Sequence, residues 1–217
     1  MSVLAISAPA SAAVIASTSF ESLALGPGHD KYGPDESIYN QPASPGLVVA
    51  GFTFSGYSGI FSNPALCCVP STPYGNQFAF LQTYNNGSSS IGWLVNGLAA
   101  GDQYTLSFYD VGGTGPVGVD PITVTFTGAT ALVSNDFTPF TTGWLYNSMS
   151  FTANAASATI YFNGSATGGN LLSGVDDVQV SFVPEPATWA MFLVGFSALG
   201  FMMRGSRRKQ SDAVAVV

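Results

Sequence analysis

Polar and apolar residues alternate along most of the middle of this chain. Tyr104, Leu106 and Phe108 alternate with Thr105 and Ser107, and Ile122, Val124 and Phe126 alternate with Thr123, Thr125 and Thr127. Ile160 and Phe162 are set among Thr159 and Tyr161, and Val178, Val180 and Phe182 among Gln179 and Ser181. A period of two is the signature of strands with one face buried. Further strands are expected at Val48 to Phe54, Phe78 to Gln82, Ile91 to Val95 and Ser148 to Ala153. Asn85-Asn86-Gly87, Ala100-Gly101-Asp102 and Gly112-Gly113 supply the turns between them. No amphipathic helix of convincing length interrupts the pattern. The expectation for 17–183 is therefore an all-β, two-sheet antiparallel sandwich of the jelly-roll kind. Gly26 to Gly46 reads as one long loop, and Val111 to Gly118 as a glycine-rich hairpin loop with no phosphate-binding lysine. Trp93 and Trp144 lie in strand-like contexts and are assigned to the core.

The two ends follow different rules. Ala8, Ala10 and Ala12 have the small-residue spacing that a signal peptidase accepts, although the n-region has no Lys or Arg. Residues 1–16 are read as a truncated signal peptide with cleavage near Ala12 or Ala13. At the other end Val183-Pro184-Glu185-Pro186 precedes an unbroken apolar run, Ala187 to Met203, and then Arg204, Arg207, Arg208 and Lys209. As a helix that run would rise about 26 Å, enough for a thin bilayer core. Pro186 suits a first helical turn, Trp189 an interface, and the basic cluster a cytoplasmic end. The pattern predicts an exported domain followed by a single membrane-spanning helix.

Charge narrows the function. Lys and Arg total 5 in 217 residues. Lys31 is the only one of them between Ser17 and Val183, where 10 carboxylates stand against it. A surface so short of cations cannot neutralise phosphates, which excludes nucleic acid as a partner.

The conjunction of Pro184-Glu185-Pro186, a hydrophobic helix and a basic tail resembles the PEP-CTERM sorting signal of Gram-negative bacteria, over 184–217. That resemblance implies export, an inner-membrane intermediate, processing by an exosortase partner, and association with the cell envelope or extracellular polysaccharide. A second resemblance covers most of the central domain. Phe20-Glu21, Gly97 to Asp110, Trp144, Phe151 to Ala153 and Gly174 to Phe182 follow in an order similar to galactose-binding-like jelly rolls, the fold of many carbohydrate-binding modules. It implies sugar binding and a structural calcium ion near the first and last strands. Carried over, the calcium ligands are Glu21 and Asp176, with Asp177 as a substitute. As neighbours in a strand, those two aspartates should point to opposite faces.

Other chemistry is sparse. Cys67 and Cys68 are adjacent and lack metal-ligand spacing, leaving a strained vicinal ring, intermolecular cross-linking or two plain thiols. His29 stands beside Asp30 with no serine elbow to complete a triad, so it is read as a solvated loop residue. No nucleophile or acid–base constellation is recognisable, and the chain is read as non-enzymatic. Tyrosines in loop-like contexts are the candidate sugar-stacking rings: Tyr32, Tyr57, Tyr74 and Tyr84, with Tyr39 in a similar setting. The first reading is an exported envelope or matrix protein; the alternative is a carbohydrate-binding module, and the third reading an exported hydrolase.

Overall fold

The structure, a computed structural model, describes residues 12–22, 30–32, 35–36, 43–49, 51–62, 68–132, 136–183 and 194–197. Two compact units emerge, 13–183 and the two chain ends together. In the first, the described strands are β1 (Ala13–Thr18), β2 (Asp30–Tyr32), β3 (Asp35–Glu36), β4 (Ala43–Val49), β5 (Phe52–Gly56), β6 (Ser58–Ser62), β7 (Gln77–Tyr84) and β8 (Ser89–Asn96). There follow β9 (Gln103–Gly112), β10 (Gly118–Val119), β11 (Ile122–Thr127), β12 (Ala129–Ala131), β13 (Asp136–Phe137), β14 (Leu145–Ala153), β15 (Ser157–Gly164) and β16 (Asn170–Phe182). They form two sheets: β12-β14-β9-β16-β7-β6-β2-β3 with β1 and β10 also on β16, and β13-β11-β15-β8-β5-β4. The pairs are antiparallel apart from β10 with β16. The expected two-sheet sandwich is what forms.

The inward-facing residues named by the alternation fill the space between the sheets. Leu106, Phe108, Val124, Ile160, Phe162, Val178 and Val180 are buried together with Phe52, Phe54, Ile91 and Trp93. The Asn85-Asn86 turn, with φ of 48° and 64°, bridges Tyr84 to Gly87 and carries the chain from β7 in one sheet to β8 in the other. At Tyr57 the chain crosses from one sheet to the other. There the Ser58 hydroxyl lies 2.9 Å from Ser55 O and 3.0 Å from Ser90 O, its single proton shared between the two carbonyls, closing the corner.

A second apolar cluster lies on the outer side of the ten-stranded sheet. Phe61, Phe78, Phe80, Val111 and Leu172 point away from the main core and are roofed by Val69, Val117, Cys68 and Trp144. Gly174 lies beneath Trp144, where an added Cβ would stand 2.9 Å from the indole.

Four expectations change. Val48 to Phe54 is a hairpin, with β4 and β5 joined through Gly51 at φ 81°. The stretch Gly26 to Gly46 contains β2, β3 and the start of β4 instead of being all loop. Val111 to Gly118 is no hairpin loop: it leaves β9 and returns as β10 alongside β16. β1 begins at Ala13, ahead of the boundary placed at 17, and pairs with the end of β16. In the other unit, 194–197 are helical and exposed. Among the described residues no helix is long and apolar enough to cross a membrane. The rest of the predicted helix at 187–203, Pro184, Glu185, Pro186, Arg204, Arg207, Arg208 and Lys209 lie outside the described residues.

Candidate functional site

The aspartate pair on β16 sits at a break in the sheet. Along one edge of β16, β7 pairs up to Val175 and β1 pairs from Val178 onward. Between them the register with β9 shifts, and Asp177 takes φ 47°. This bulge breaks the simple alternation expected of the two aspartates. Asp176 is the partner of Tyr109 on the outer face and is fully buried there. Its carboxylate accepts from the Thr72 hydroxyl, and from Asp177 N–H at 2.7 Å. Asp177 accepts from Gln179 Nε2 at 3.2 Å.

Glu21 arrives from the turn after β1. Its Oε1 accepts from the N–H groups of Asn76 and Gln77, each at 2.8 Å, while Gln77 Nε2 donates to Phe20 O. Gly75 passes so close to this carboxylate that a side chain would not fit. Burial pushes the Asp176 carboxyl up to about 7, and repulsion from Asp177 and Glu21 adds to the rise. Glu21 and Asp177 are thus near enough to Asp176 for their charges to act on it. Among the described residues, no three His, Cys, Asp or Glu side chains form a ready-made metal cluster.

The tyrosines fall into separate groups. Tyr57 and Tyr84 meet edge-on at 5.9 Å beside the Asn85-Asn86 turn. Tyr74 lies over Tyr109 at 3.9 Å, and Tyr109 meets Tyr146 at 5.3 Å. Burial, followed by its hydrogen bond with Tyr109, pushes Tyr74 up to about 12. Tyr74 precedes β7 and Tyr84 is its last residue, roughly 23 Å of strand further on, so the expected rings fall in two separate places. Tyr32 is in β2; His29, Tyr39 and Cys67 lie outside the described residues. Trp93 is core as expected, stacked on Phe52 at 5.1 Å, whereas half-buried Trp144 belongs to the roof of the second cluster.

One ring was missed because it sits in a strand. Tyr161 points outward from β15, in the middle of the six-stranded sheet, opposite Gly92 on β8. A Cβ on Gly92 would stand 2.9 Å from the Tyr161 ring, so the ring lies across the glycine. Hydroxyls and an amide surround it. Asn163 Nδ2 donates to Thr125 Oγ1 at 3.0 Å, Ser90 Oγ donates to Asn163 Oδ1 at 2.8 Å, and Thr123 Oγ1 donates to Asp136 Oδ1 at 2.7 Å. Leu94, Thr53 and Thr127 complete an exposed face. The signal was the outward position of Tyr161 between Ile160 and Phe162; the glycine beneath it depends on strand register.

Two further acids are buried. Asp110 is 1% exposed on the inner face of β9, without a hydrogen bond of good geometry to either oxygen. Burial pushes it up to about 6, with the Asn147 side chain acting weakly the other way. Asp120 is also raised by burial, while Thr83 Oγ1 at 2.8 Å and Ala166 N–H at 3.2 Å stabilise its carboxylate.

The class that this architecture defines is the two-sheet antiparallel β-sandwich. The structure is similar to the Stig cyclase Fisc from Fischerella sp. TAU, at 17% identity and TM-score 0.55, over 80% of this chain and 99% of that one. It is also similar to the CBM22-1 xylan-binding domain of Paenibacillus barcinonensis Xyn10C, at 14% identity and TM-score 0.46, over 81% and 99%. A cleaved adhesin domain of Lys-gingipain from Porphyromonas gingivalis matches at 9% identity and TM-score 0.47, over 61% and 91%. Among curated proteins none matches the chain in sequence. The tail is more specific: residues 182–209 match the PEP-CTERM protein-sorting motif. That motif marks an exported protein processed by an exosortase.

Proposed function

We propose that the chain is an exported, non-enzymatic glycan-binding protein of the envelope or extracellular matrix, with exopolysaccharide as its ligand. The observation that carries this reading is the Tyr161 ring lying against Gly92 on the exposed side of the six-stranded sheet. A ring seated on a glycine presents its other face outward, and sugar rings stack their C–H faces on such surfaces. The hydrogen bonds among Asn163, Thr125 and Ser90 hold polar groups in fixed positions beside it, as specific recognition of hydroxyls requires. The sorting motif supports the route we propose: delivery through the inner membrane of a Gram-negative cell, with the apolar segment 187–203 as the anchor until the tail is removed.

The test is a pull-down of the full chain with purified exopolysaccharide. Tyr161→Ala is expected to abolish retention, and Gly92→Ala, which displaces the ring without removing it, to weaken it. Retention by both variants as strong as by the unaltered chain would remove this reading.

Calcium is the second element of the proposal. Glu21 and Asp176 would hold the ion, with Thr72 and backbone carbonyls completing the six to eight oxygens it needs. Support comes from the buried Asp176 carboxylate, close enough to Glu21 to be repelled by it. When bound, the ion would supply that opposing charge and tie the end of β1 to β16. Thermal melting in millimolar calcium should then exceed melting in chelator. Superimposed curves would remove the site.

A further inference from the structure

The outer face of the ten-stranded sheet carries a row of rings and carboxylates unlike anything on the opposite face. Tyr146 on β14 and Tyr109 on β9 are cross-strand partners, and Asp176 is the partner of Tyr109 on its other side. Tyr74 covers Tyr109 from the segment that leads into β7. That segment is fixed by Trp144 Nε1, which donates to Ser71 O at 3.0 Å, and by Thr72 on Asp176. Tyr146 is 54% exposed; Tyr74, Tyr109 and Asp177 are half-buried. The Asp177 carboxylate acts through space on the Tyr74 hydroxyl. Lys31 is the only Lys or Arg between 13 and 183, so this negative field is nearly unopposed.

Aromatic faces are electron-rich, and beside carboxylates they favour a cation over a neutral or anionic group. The same face continues away from the rings as a strip of hydroxyls: Ser107 opposite Ser148, and Thr105 opposite Ser150. A cation-selecting end joined to a hydroxyl strip matches a sugar polymer that bears amines. We propose that this row binds the protonated amine of an amino-sugar residue, with Tyr74, Tyr146 and Asp177 receiving the ammonium and the hydroxyl strip the adjoining sugars. This ligand and sheet differ from those of the Tyr161 face, and the inference does not depend on that reading. With both faces engaged, one sandwich would bridge two polysaccharide chains.

The experiment is calorimetric titration of the full chain at pH 6 in chelator, against a glucosamine hexamer, its N-acetylated counterpart and hexalysine. The glucosamine hexamer should bind, and both comparators should bind more weakly. Asp177→Asn and Tyr146→Ala should each weaken it about fivefold, while Tyr161→Ala leaves it unchanged. Asparagine tolerates the φ of 47° at 177, so that variant keeps the bulge while removing the charge. Matched melting curves confirm that the variants fold. Absence of binding, equal binding of the N-acetylated hexamer or of hexalysine, or sensitivity to Tyr161→Ala in place of Asp177→Asn would each overturn the proposal.

Discussion

The two sheets share one core, yet their outer faces have opposite histories. On the six-stranded sheet Leu94, Thr53, Thr125 and Thr127 remain exposed, and the alternation of the sequence is the alternation of the surface. On the ten-stranded sheet a roof of Val69, Val117 and Trp144 covers Phe61, Phe78, Phe80 and Val111, so part of that sheet is buried on both sides. The lesson concerns charge as much as packing. Asp176, an outward residue, would be solvated on a bare face; with Thr72 seated on it, it is buried and its affinity for a proton rises.

The largest effect that would sharpen this contrast is loss of roof packing. Phe80 is fully buried and stacked on Phe61 at 4.2 Å. Phe80→Ala should cost about 3–5 kcal/mol in chemical denaturation. A cost no larger than that of a surface change would mean the roof adds nothing to stability.

A smaller effect separates the inner acid from the outer ones. Asp110 has a folded pKa of about 6, above its ordinary 3.8. Its burial therefore weighs least below pH 4, and stability falls as pH rises from about 4 to 6. Asp110→Asn should remove that decline, gaining about 2–3 kcal/mol at pH 7 and almost nothing at pH 4. Urea midpoints across this range decide it; an unchanged slope would place the pH dependence elsewhere. The smallest effect belongs to the bare face. Leu94→Ser should shift stability by no more than about 0.5 kcal/mol, because no roof covers Leu94. A loss of several kcal/mol in the same denaturation series would show that this face is covered after all.

The strands of the bare sheet were legible because one-sided burial writes itself as period two, as in Ile122 to Thr127 and Thr159 to Phe162. β7 was legible as a strand but not as one packed on both faces, since an apolar run does not say what lies above it. The break at Gly51 was hidden because apolar residues flank it on both sides. At the carboxylate site, Glu21 and Asp176 are 155 positions apart, and only the pairing of β1 with β16 brings them together. Their association was therefore legible through family resemblance and not through spacing. The bulge at Asp177 leaves no mark in composition, and Tyr161 was seen as a strand position without the glycine that gives its ring a seat.

β16 has thirteen residues and is bonded along both edges, by β7 and β1 on one side and by β10 and β9 on the other. It is also the strand that leads into the sorting tail. Any pull on that tail enters the sandwich along the axis of its most heavily paired strand. Backbone hydrogen bonds run across strands, so such a load is borne by many of them in shear and is not concentrated on one at a time in peeling. The domain is thus hung from its mechanical spine.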